Sequence, residues 1–351
     1  MNKSSKKFLH DLLETPSPSG QEWDIQKIWM RYVKKFADEV TSDIVGNVFA
    51  VVNPKAKFKI MLTGHCDEIG FMINRIDSHG FLYFTKVGGI SPKIAPGMKI
   101  QVLGSGKTLT GVVGVNAEHH GGLKDSFSFE DLYIDCGAKN KKEIEKYVSI
   151  GDFAVYKRKP EYLLNNRLTS KGLDDKTGAF IVAEVLRNVA KKSPKVAVYA
   201  VSTVSEEIGL HGAYFAGANV QPDIAIACDV TFATDYPNVK VNKYGSYALD
   251  KGPVLAKGSP INPKINALLA DAAKELKIPI QYELTPSSTG TDADRMRFTG
   301  KGIPVALVSL PLRYMHAPVE TISIKDLENE IKLLTQMILN LTGHENLKPL
   351  E

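Results

Sequence analysis

The stretch KIMLTGHCDEIG, residues 59–70, begins as a buried β-strand and ends in charged groups. Ile60 to Leu62 form an apolar run of the kind that lies inside a sheet. His65, Asp67 and Glu68 follow shortly after it, before the apolar pattern resumes. An imidazole and two carboxylates are costly to bury without partners. The change of character predicts that this strand ends at a functional site.

The composition is that of a large globular chain. It has 351 residues, of which 43% are hydrophobic, and a formal net charge of +5 with both signs interspersed. This length is enough for a large core and for two domains. No arm or helix face is strongly basic, so we expect no nucleic acid partner.

The sequence indicates neither a signal peptide nor a membrane span. The N-terminal stretch MNKSSKKFLHDLLE lacks an apolar core and predicts an amphipathic first helix. No apolar run approaches the roughly 20 residues that cross a bilayer. The three cysteines, Cys66, Cys136 and Cys228, are far apart, so no disulfide framework is expected. We therefore predict a cytoplasmic protein with no membrane partner.

Strand and helix patterns alternate at both ends of the chain. Apolar runs rich in β-branched residues, such as KVAVYAVSTVS and PDIAIACDV, suit strands that are buried on both faces. Amphipathic stretches such as IKDLENEIKLLTQMILNLT suit helices that cover a sheet. The alternation predicts an α/β fold with a mixed, largely parallel sheet flanked by helices.

The middle of the chain has a different pattern. It is dense in glycine and in short β-like runs, of which GMKIQVLGSGKTLTG is typical. We therefore assign residues 1–68 and 164–351 to a catalytic α/β domain. Residues 69–163 would form a small β-rich domain inserted into it.

Acidic and imidazole side chains follow the predicted core strands. In open α/β sheets, ligands bind beyond the carboxyl ends of the strands, so these side chains should share one rim. Crowded carboxylates repel one another unless a cation lies between them. A mixture of imidazoles and carboxylates suits zinc or cobalt, whereas magnesium or calcium prefers oxygen ligands alone. The residues at this rim are His65, Asp67, Asp174, Asp175, Glu206, Glu207, Asp229 and His316.

Two closely spaced pairs indicate a division of labour at such a site. His65 and Asp67 are two positions apart, so strand alternation would put both on one face and let Asp67 hold the second ring nitrogen of a metal-bound His65. Glu206 and Glu207 are adjacent and should point in different directions. One could bind a metal while the other acts as general base for a metal-bound water. These residues alone predict metal-assisted hydrolysis.

The motifs that carry these residues resemble those of the M42 family of co-catalytic di-metal aminopeptidases, which includes glutamyl and tetrahedral aminopeptidases. The motifs span most of the chain, and their order and joint presence make the match specific. They are GHCDEIG (64–70), LDDKTG (173–178), SEEIGLHGA (205–213), CDV (228–230) and LPLRYMHAPVE (310–320).

The resemblance implies a set of metal ligands. Asp174 would bridge two ions, His65 and Asp229 would complete one site, and Glu207 and His316 would complete the other. The choice of Asp174 over Asp175 rests on the family pattern, in which the first acid of this motif bridges and the peptide bond after it is often cis. Two zinc or cobalt ions per subunit are expected, with manganese as a further possibility.

The resemblance also implies roles for residues that do not bind metal. Glu206 would be the general base, and Asp67 would orient the imidazole of His65. Asp292 and Arg313 resemble family positions near the substrate cleft and would contact the substrate. A structural turn and a surface salt bridge are the alternatives for these two.

By the same resemblance, the protein would release N-terminal residues from peptides, with a metal-bound hydroxide as the nucleophile. Family members form dimers through the β-rich insertion, and six dimers commonly build a tetrahedral dodecamer. We therefore expect peptide substrates and a homo-oligomer. Acidic, apolar and basic N-terminal preferences all occur in the family, so the preferred residue stays open.

Two other functions remain as alternatives. Some members of this family have carried an endoglucanase label, so an endo-1,4-beta-glucanase-type glycan hydrolase is the first. The adjacent Glu206 and Glu207 suit it poorly, because two carboxyls must then flank one bond at about 5–9 Å. The second is a non-catalytic scaffold of the same fold, against which the complete set of expected ligands argues.

Overall fold

The computed structural model describes residues 1–348 and 350. Its helices are α1 Lys3–Glu14, α2 Trp23–Val33, α3 Lys141–Ile144, α4 Leu173–Ala190, α5 His211–Val220, α6 Val241–Tyr244, α7 Pro263–Leu276, α8 Asp292–Met296 and α9 Ile324–Asn340. Among these residues, no helix has both the length and the apolar character needed to cross a bilayer. The three cysteines are unpaired, as the sequence predicted.

The strands fall into two groups, one at the ends of the chain and one in its middle. They are β1 Glu39–Ser42, β2 Val48–Val52, β3 Lys59–His65, β4 Gly70–Ile76, β5 Leu82–Val87, β6 Lys99–Gly104, β7 Lys107–Val113, β8 Ile134–Asp135, β9 Phe153–Tyr156, β10 Glu161–Leu163, β11 Arg167–Ser170, β12 Ala197–Thr203, β13 Ile224–Phe232, β14 Val254–Gly258, β15 Gln281–Thr285, β16 Val305–Arg313 and β17 Glu320–Ser323.

The larger sheet has the strand order β1-β2-β12-β3-β13-β16-β17-β11-β10, with β14 and β15 attached beside β16. Its central strands β12, β3, β13 and β16 run parallel to one another. The strands on either side of this centre pair antiparallel. The predicted mixed, largely parallel sheet is therefore confirmed. Because parallel strands end at the same edge, the residues that follow them lie close together.

Helices cover both faces of this sheet. On one face, α1, α2, α4, α7 and α9 share an apolar core with the strands, and on the other face α5 and α8 pack against them. Helix α4 is buried along nearly all of its length, because it lies between the sheet and other helices. Gly64 of β3 and Gly178 of α4 approach so closely that a Cβ atom at Gly64 would lie 2.2 Å from the Gly178 carbonyl carbon. This contact brings the start of α4 to the carboxyl end of β3.

The middle of the chain forms a separate closed barrel with the strand order β4-β5-β8-β7-β6-β9. Its interior is largely aliphatic. Aromatic rings pack within it, and the ring centroid of Phe71 lies 4.9 Å from that of Phe84 and 5.3 Å from that of Tyr156. The predicted β-rich inserted domain is thus present. Strand β10, which the sequence boundary assigned to the insertion, instead pairs with β11 of the larger sheet. Its three residues are all exposed, so no apolar alternation marks them.

Candidate active site

The predicted metal ligands lie at the carboxyl edge of the parallel strands. His65 is the last residue of β3, Asp229 lies near the end of β13, and Asp174 stands in the first turn of α4. Glu207 follows β12, and His316 follows β16. His65, Asp174 and Asp229 are buried, whereas Glu207 and His316 are half-buried. The topology therefore gathers these five side chains, as their positions in the sequence predict.

Asp174 lies between the two imidazoles. Its Oδ1 atom is 3.3 Å from Nε2 of His65, and its Oδ2 atom is 3.3 Å from Nε2 of His316. Glu320 fixes this arrangement, since its carboxylate accepts the backbone N–H of Asp174 at 3.2 Å and that of His316 at 2.9 Å. No role was predicted for Glu320 from the sequence, although it is the last residue of the LPLRYMHAPVE motif.

Asp175 has different partners from Asp174. One of its oxygens accepts the backbone N–H of His65 at 3.2 Å, and the other accepts that of Gly178 at 2.9 Å. The peptide bond between Asp174 and Asp175 is cis. Backbone groups thus occupy both oxygens of Asp175, and Asp174 is the member of the pair that faces the imidazoles.

The Nδ1 atom of each imidazole faces an acceptor. Nδ1 of His65 is 3.3 Å from Oδ1 of Asp67 and 3.2 Å from its carbonyl oxygen. Nδ1 of His316 is 2.7 Å from the carbonyl oxygen of Gly89, in the loop after β5 of the barrel. These contacts place the ring proton on Nδ1 and leave Nε2 as the ligand atom. Asp67 follows β3 in a loop, so loop geometry rather than strand alternation brings it to His65.

Asp67 also connects His65 to the adjacent glutamates. Its carboxylate accepts the Ser19 hydroxyl at 2.6 Å and the backbone N–H groups of Glu206 at 3.1 Å and Glu207 at 3.2 Å. Burial opposes ionisation of Asp67, but these hydrogen bonds and the charge of His65 outweigh it and lower the pKa of the carboxyl. Asp67 therefore stays ionised, and it fixes the loop that presents both glutamates.

The remaining carboxyl groups are crowded. An oxygen of Glu206 lies 3.6 Å from Nε2 of His65, and one of Glu207 lies 3.5 Å from Nε2 of His316. Burial, reinforced by neighbouring carboxylates, raises the pKa of Glu206 to about 10 and those of Glu207 and Asp229 to about 8. The protein environment alone therefore does not stabilise these three negative charges.

The two imidazoles, in contrast to these carboxyl groups, are stabilised in their charged form. Burial disfavours their charged form, but the carboxylates outweigh it, raising the pKa of His65 well above its usual range and that of His316 to about 9. Positive charge is therefore favoured beside both Nε2 atoms, at the two places where Asp174 oxygens face them. This donor set fits divalent cations with mixed imidazole and carboxylate ligands.

Among the described residues, two groups of three side chains have ligand atoms that all lie within 4.8 Å of the others in the same group. One comprises His65, Glu206 and Asp229, and the other comprises His65, Asp174 and Glu207. The first group includes Glu206, which the family resemblance implies to be the base. The second group does not include His316. The Nε2 atom of His316 nevertheless lies 3.3 Å from an oxygen of Asp174 and 3.5 Å from an oxygen of Glu207. The geometry thus brings the predicted ligands together and leaves two ways to divide them.

The two predicted substrate contacts lie in other surroundings. Asp292 is buried, and one of its oxygens accepts the hydroxyl of Thr203 at 2.6 Å. Its other oxygen has no hydrogen-bond partner among the described residues. Arg313 forms two 2.8 Å hydrogen bonds with the carboxylate of Asp235. The structure brings neither residue into the lining of the cavity described next.

The cluster opens into a cavity of about 680 Å³. The proposed ligands His65, Asp174 and Asp229 line one part of it, and Tyr247 and Glu283 line another. The sequence did not predict Glu283 as a site residue, because it lies in the alternating strand QYELT with no motif around it.

Solved structures match this fold over nearly its whole length. The TET aminopeptidase of a marine sediment archaeon, Thaumarchaeota, superposes with a TM-score of 0.90 at 29% identity, covering 96% of both chains. The Pyrococcus horikoshii TET1 peptidase, described as assembling into a tetrahedron or a large octahedral shell, gives 0.85 at 29% identity, covering 96% of this chain and 100% of that one. A Thermotoga maritima protein described as an endoglucanase gives 0.76 at 29% identity, covering 94% and 96%. The fold is therefore that of the TET aminopeptidases.

Sequence comparison assigns the family. A profile of the family described as M42 glutamyl aminopeptidase matches residues 46–333. The lysyl aminopeptidase of Pyrococcus furiosus is 35% identical over 358 residues, covering 98% of each chain. The chain belongs to the M42 peptidase family, which confirms the family and the enzyme class predicted from the motifs.

Proposed function

We propose that the protein is a di-metal aminopeptidase that releases N-terminal residues from peptides. The observation that carries this proposal is the position of Asp174, whose two oxygens each face a different imidazole at 3.3 Å. A carboxylate held between two ring nitrogens in this way is suited to share two cations. Zinc, cobalt and manganese all accept such ligands.

In this proposal His65 and Asp229 would hold one ion, Glu207 and His316 would hold the other, and Asp174 would serve both. When bound, the ions supply Lewis acidity, which polarises the scissile carbonyl and eases the deprotonation of water. The contacts of His65 with Asp67 and of His316 with Gly89 keep both Nε2 atoms directed at Asp174.

Glu206 is the proposed general base. A carboxylate oxygen of Glu206 accepts a proton from the attacking water and then delivers it to the nitrogen of the leaving amine. Its position supports this role, because it lines the cavity beside His65 and its backbone is fixed by Asp67. The adjacent Glu207 is directed to His316 instead, so the two glutamates serve different ends of the cluster.

We further propose a homo-oligomer in which the barrel forms the dimer contact and dimers build a tetrahedral dodecamer. Support comes from the Pyrococcus horikoshii TET1 peptidase, which is described as assembling into a tetrahedron or an octahedral shell. The names of the relatives differ in the N-terminal residue, since the family is described as glutamyl and one relative as lysyl. The cytoplasmic location stays a prediction.

The experiment that tests the function compares two substrate classes. The purified protein, loaded with zinc or cobalt, is incubated with a panel of aminoacyl-p-nitroanilides and with carboxymethylcellulose. We expect release of p-nitroaniline, its loss after exhaustive dialysis against a chelator, and its recovery when metal is returned. Release of sugar from cellulose alone would favour the glycan hydrolase, and turnover of neither substrate would favour the scaffold. Full activity after chelation would exclude the metal assignment.

A further inference from the structure

The cavity contains a carboxylate for which the proposed mechanism has no use. Glu283, on β15, is half-buried, and each of its oxygens accepts a hydroxyl hydrogen bond. The Thr231 hydroxyl donates at 2.6 Å and the Ser309 hydroxyl at 3.1 Å. Within residues 1–348 and 350, Glu283 forms no ion pair, and burial raises the pKa of its carboxyl. A recessed acid that is bonded only by neutral hydroxyls is suited to receive a cation.

Glu283 is held at a defined distance from the proposed metal ligands. Asp229 and Thr231 are two residues apart on β13, so their side chains share one face and their Cα atoms lie about 7 Å apart. Ser309 of β16 is the register partner of Asp229. The Glu283 carboxylate, bonded to Thr231 and Ser309, therefore lies beside Asp229 at a distance that the four-carbon stem of a lysine can span.

Apolar side chains also line the cavity. Such walls can cover the methylene groups of a long basic side chain while its charged end reaches a polar group. The same walls would equally cover an uncharged aliphatic side chain. The Glu283 carboxylate is therefore the feature that distinguishes a basic side chain from an aliphatic one. The apolar and aromatic lining residues include Leu210, Phe232, Tyr247, Leu284 and Leu307.

One cation also lines the cavity and has to be weighed against Glu283. Lys243 belongs to the short helix α6 and is exposed, and its Nζ atom lies 4.7 Å from the ring centroid of Tyr244. Solvent and salt screen such an exposed charge far more than the recessed charge of Glu283. The recessed charge of Glu283 should therefore influence the choice of side chain more than the exposed charge of Lys243.

We propose that Glu283 selects peptides whose N-terminal residue is lysine or arginine, by pairing with the cationic end of that side chain. This inference rests on the proposed aminopeptidase function. Two hydroxyl donors fix the carboxylate at the wall of the cavity. A charge-assisted contact between this carboxylate and a cation is stronger than a neutral hydrogen bond.

The test uses matched substrates on the full, metal-loaded protein. Norleucine has the stem of lysine without its ammonium group, so the p-nitroanilides of lysine, norleucine and glutamate isolate the charge. We expect kcat/KM for lysine to exceed that for norleucine by about tenfold or more and that for glutamate by a wider margin. Equal or faster release of norleucine or glutamate would overturn the inference and leave the aminopeptidase intact. Turnover of none of the three would overturn the proposed function and this inference with it.

The variant Glu283→Gln tests whether Glu283 causes the preference for lysine over norleucine. In Glu283→Gln the hydroxyl contacts can persist without the charge, so we expect kcat/KM for lysine to fall by about 10- to 100-fold, mainly through KM, while norleucine changes by less than about threefold. Glu39→Gln, a change of the same type on the exposed strand β1, serves as the control and should alter neither substrate. A Glu283→Gln enzyme that loses lysine and norleucine turnover in equal proportion would overturn the assignment.

Discussion

A Cβ atom on Gly64 would lie 2.2 Å from the carbonyl carbon of Gly178, so β3 and α4 touch through two glycines. A Cβ atom on Gly178 would in turn lie 2.1 Å from an oxygen of Asp175 and 2.5 Å from the carbonyl oxygen of Cys228. These atoms belong to backbone or to a buried carboxylate and cannot move aside easily. The contact therefore sets the position of Asp174 relative to His65.

Replacing Gly64 by alanine should force these two elements apart. We expect Gly64→Ala to lower the free energy of unfolding by about 1–3 kcal/mol, the usual cost of overpacking, and to weaken metal binding. Gly137→Ala is the control, because a Cβ atom there meets nothing within 4 Å and its cost is limited to a backbone with a φ of +77°. Urea unfolding and metal content measure the two effects. Equal stability losses in both variants would contradict this interpretation of the contact.

The two adjacent glutamates should fail in different ways. We expect Glu206→Gln to lower kcat by about 10²- to 10⁴-fold with both metals retained, because a proton acceptor is removed. Glu207→Gln should instead lower metal content, because a ligand is lost. Metal analysis and steady-state kinetics on the two variants distinguish these outcomes. Metal loss in Glu206→Gln would show that this residue binds with His65 and Asp229, the other division of the cluster that the distances allow.

Asp67 should act on the site through His65. We expect Asp67→Ala to reduce metal affinity by about 10- to 100-fold, because the imidazole loses the carboxylate that helps to fix its orientation and keeps only the backbone carbonyl as an acceptor. Asp77→Ala offers a matched control, since Asp77 also accepts two backbone N–H groups but does so in an exposed turn of the barrel. Competition with a chelator measures both affinities. An Asp67→Ala protein with unchanged metal affinity would be inconsistent with an orienting role.

Glu330 on α9 predicts a pH dependence of stability. It is fully buried, and neither of its oxygens has a hydrogen-bond partner among the described residues. Burial, with a contribution from Asp326, raises the pKa of Glu330 well above 4.5 in the folded state. Above about pH 4.5 the folded state therefore binds a proton that the unfolded state has released, and stability falls as pH rises, by up to about 1.4 kcal/mol per pH unit.

Glu330→Gln should remove this dependence. We expect the variant to match the wild type near pH 4 and to unfold at a higher urea concentration at pH 8, because a neutral amide has no proton to lose. Asp271→Asn, on the exposed side of α7, is the control and should give no pH-dependent difference. A gap between Glu330→Gln and the wild type that is the same at both pH values would rule out this account.

The hydrophobic pattern of the sequence predicted the parallel core of the sheet and the residues at the ends of its strands. Runs such as PDIAIACDV identify the parallel core, and the acid or imidazole after each run identifies the rim, because the topology itself carries these residues to one edge. The contact between Asp67 and His65 was predictable for a related reason, since the two are close in sequence.

Other parts of the site depend on contacts that sequence spacing does not encode. Glu320 accepts the N–H of Asp174, and Ser19 donates to Asp67, across long stretches of chain. Glu283 becomes a cavity residue only because β15 is placed next to β14 and its side chain reaches Thr231 and Ser309. The strand β10 is short and exposed, so its sequence has no apolar alternation that would predict a strand. Such features follow from tertiary packing rather than local periodicity.

The contact between the carbonyl oxygen of Gly89 and Nδ1 of His316 links the barrel to the larger domain. This link constrains how the enzyme can evolve. His316 relies on a neighbour supplied by the barrel, so excision of the insertion would leave an imidazole free to rotate and one half of the centre without a fixed donor. A lineage that discarded or reshaped the barrel would have to evolve a replacement acceptor in the same step.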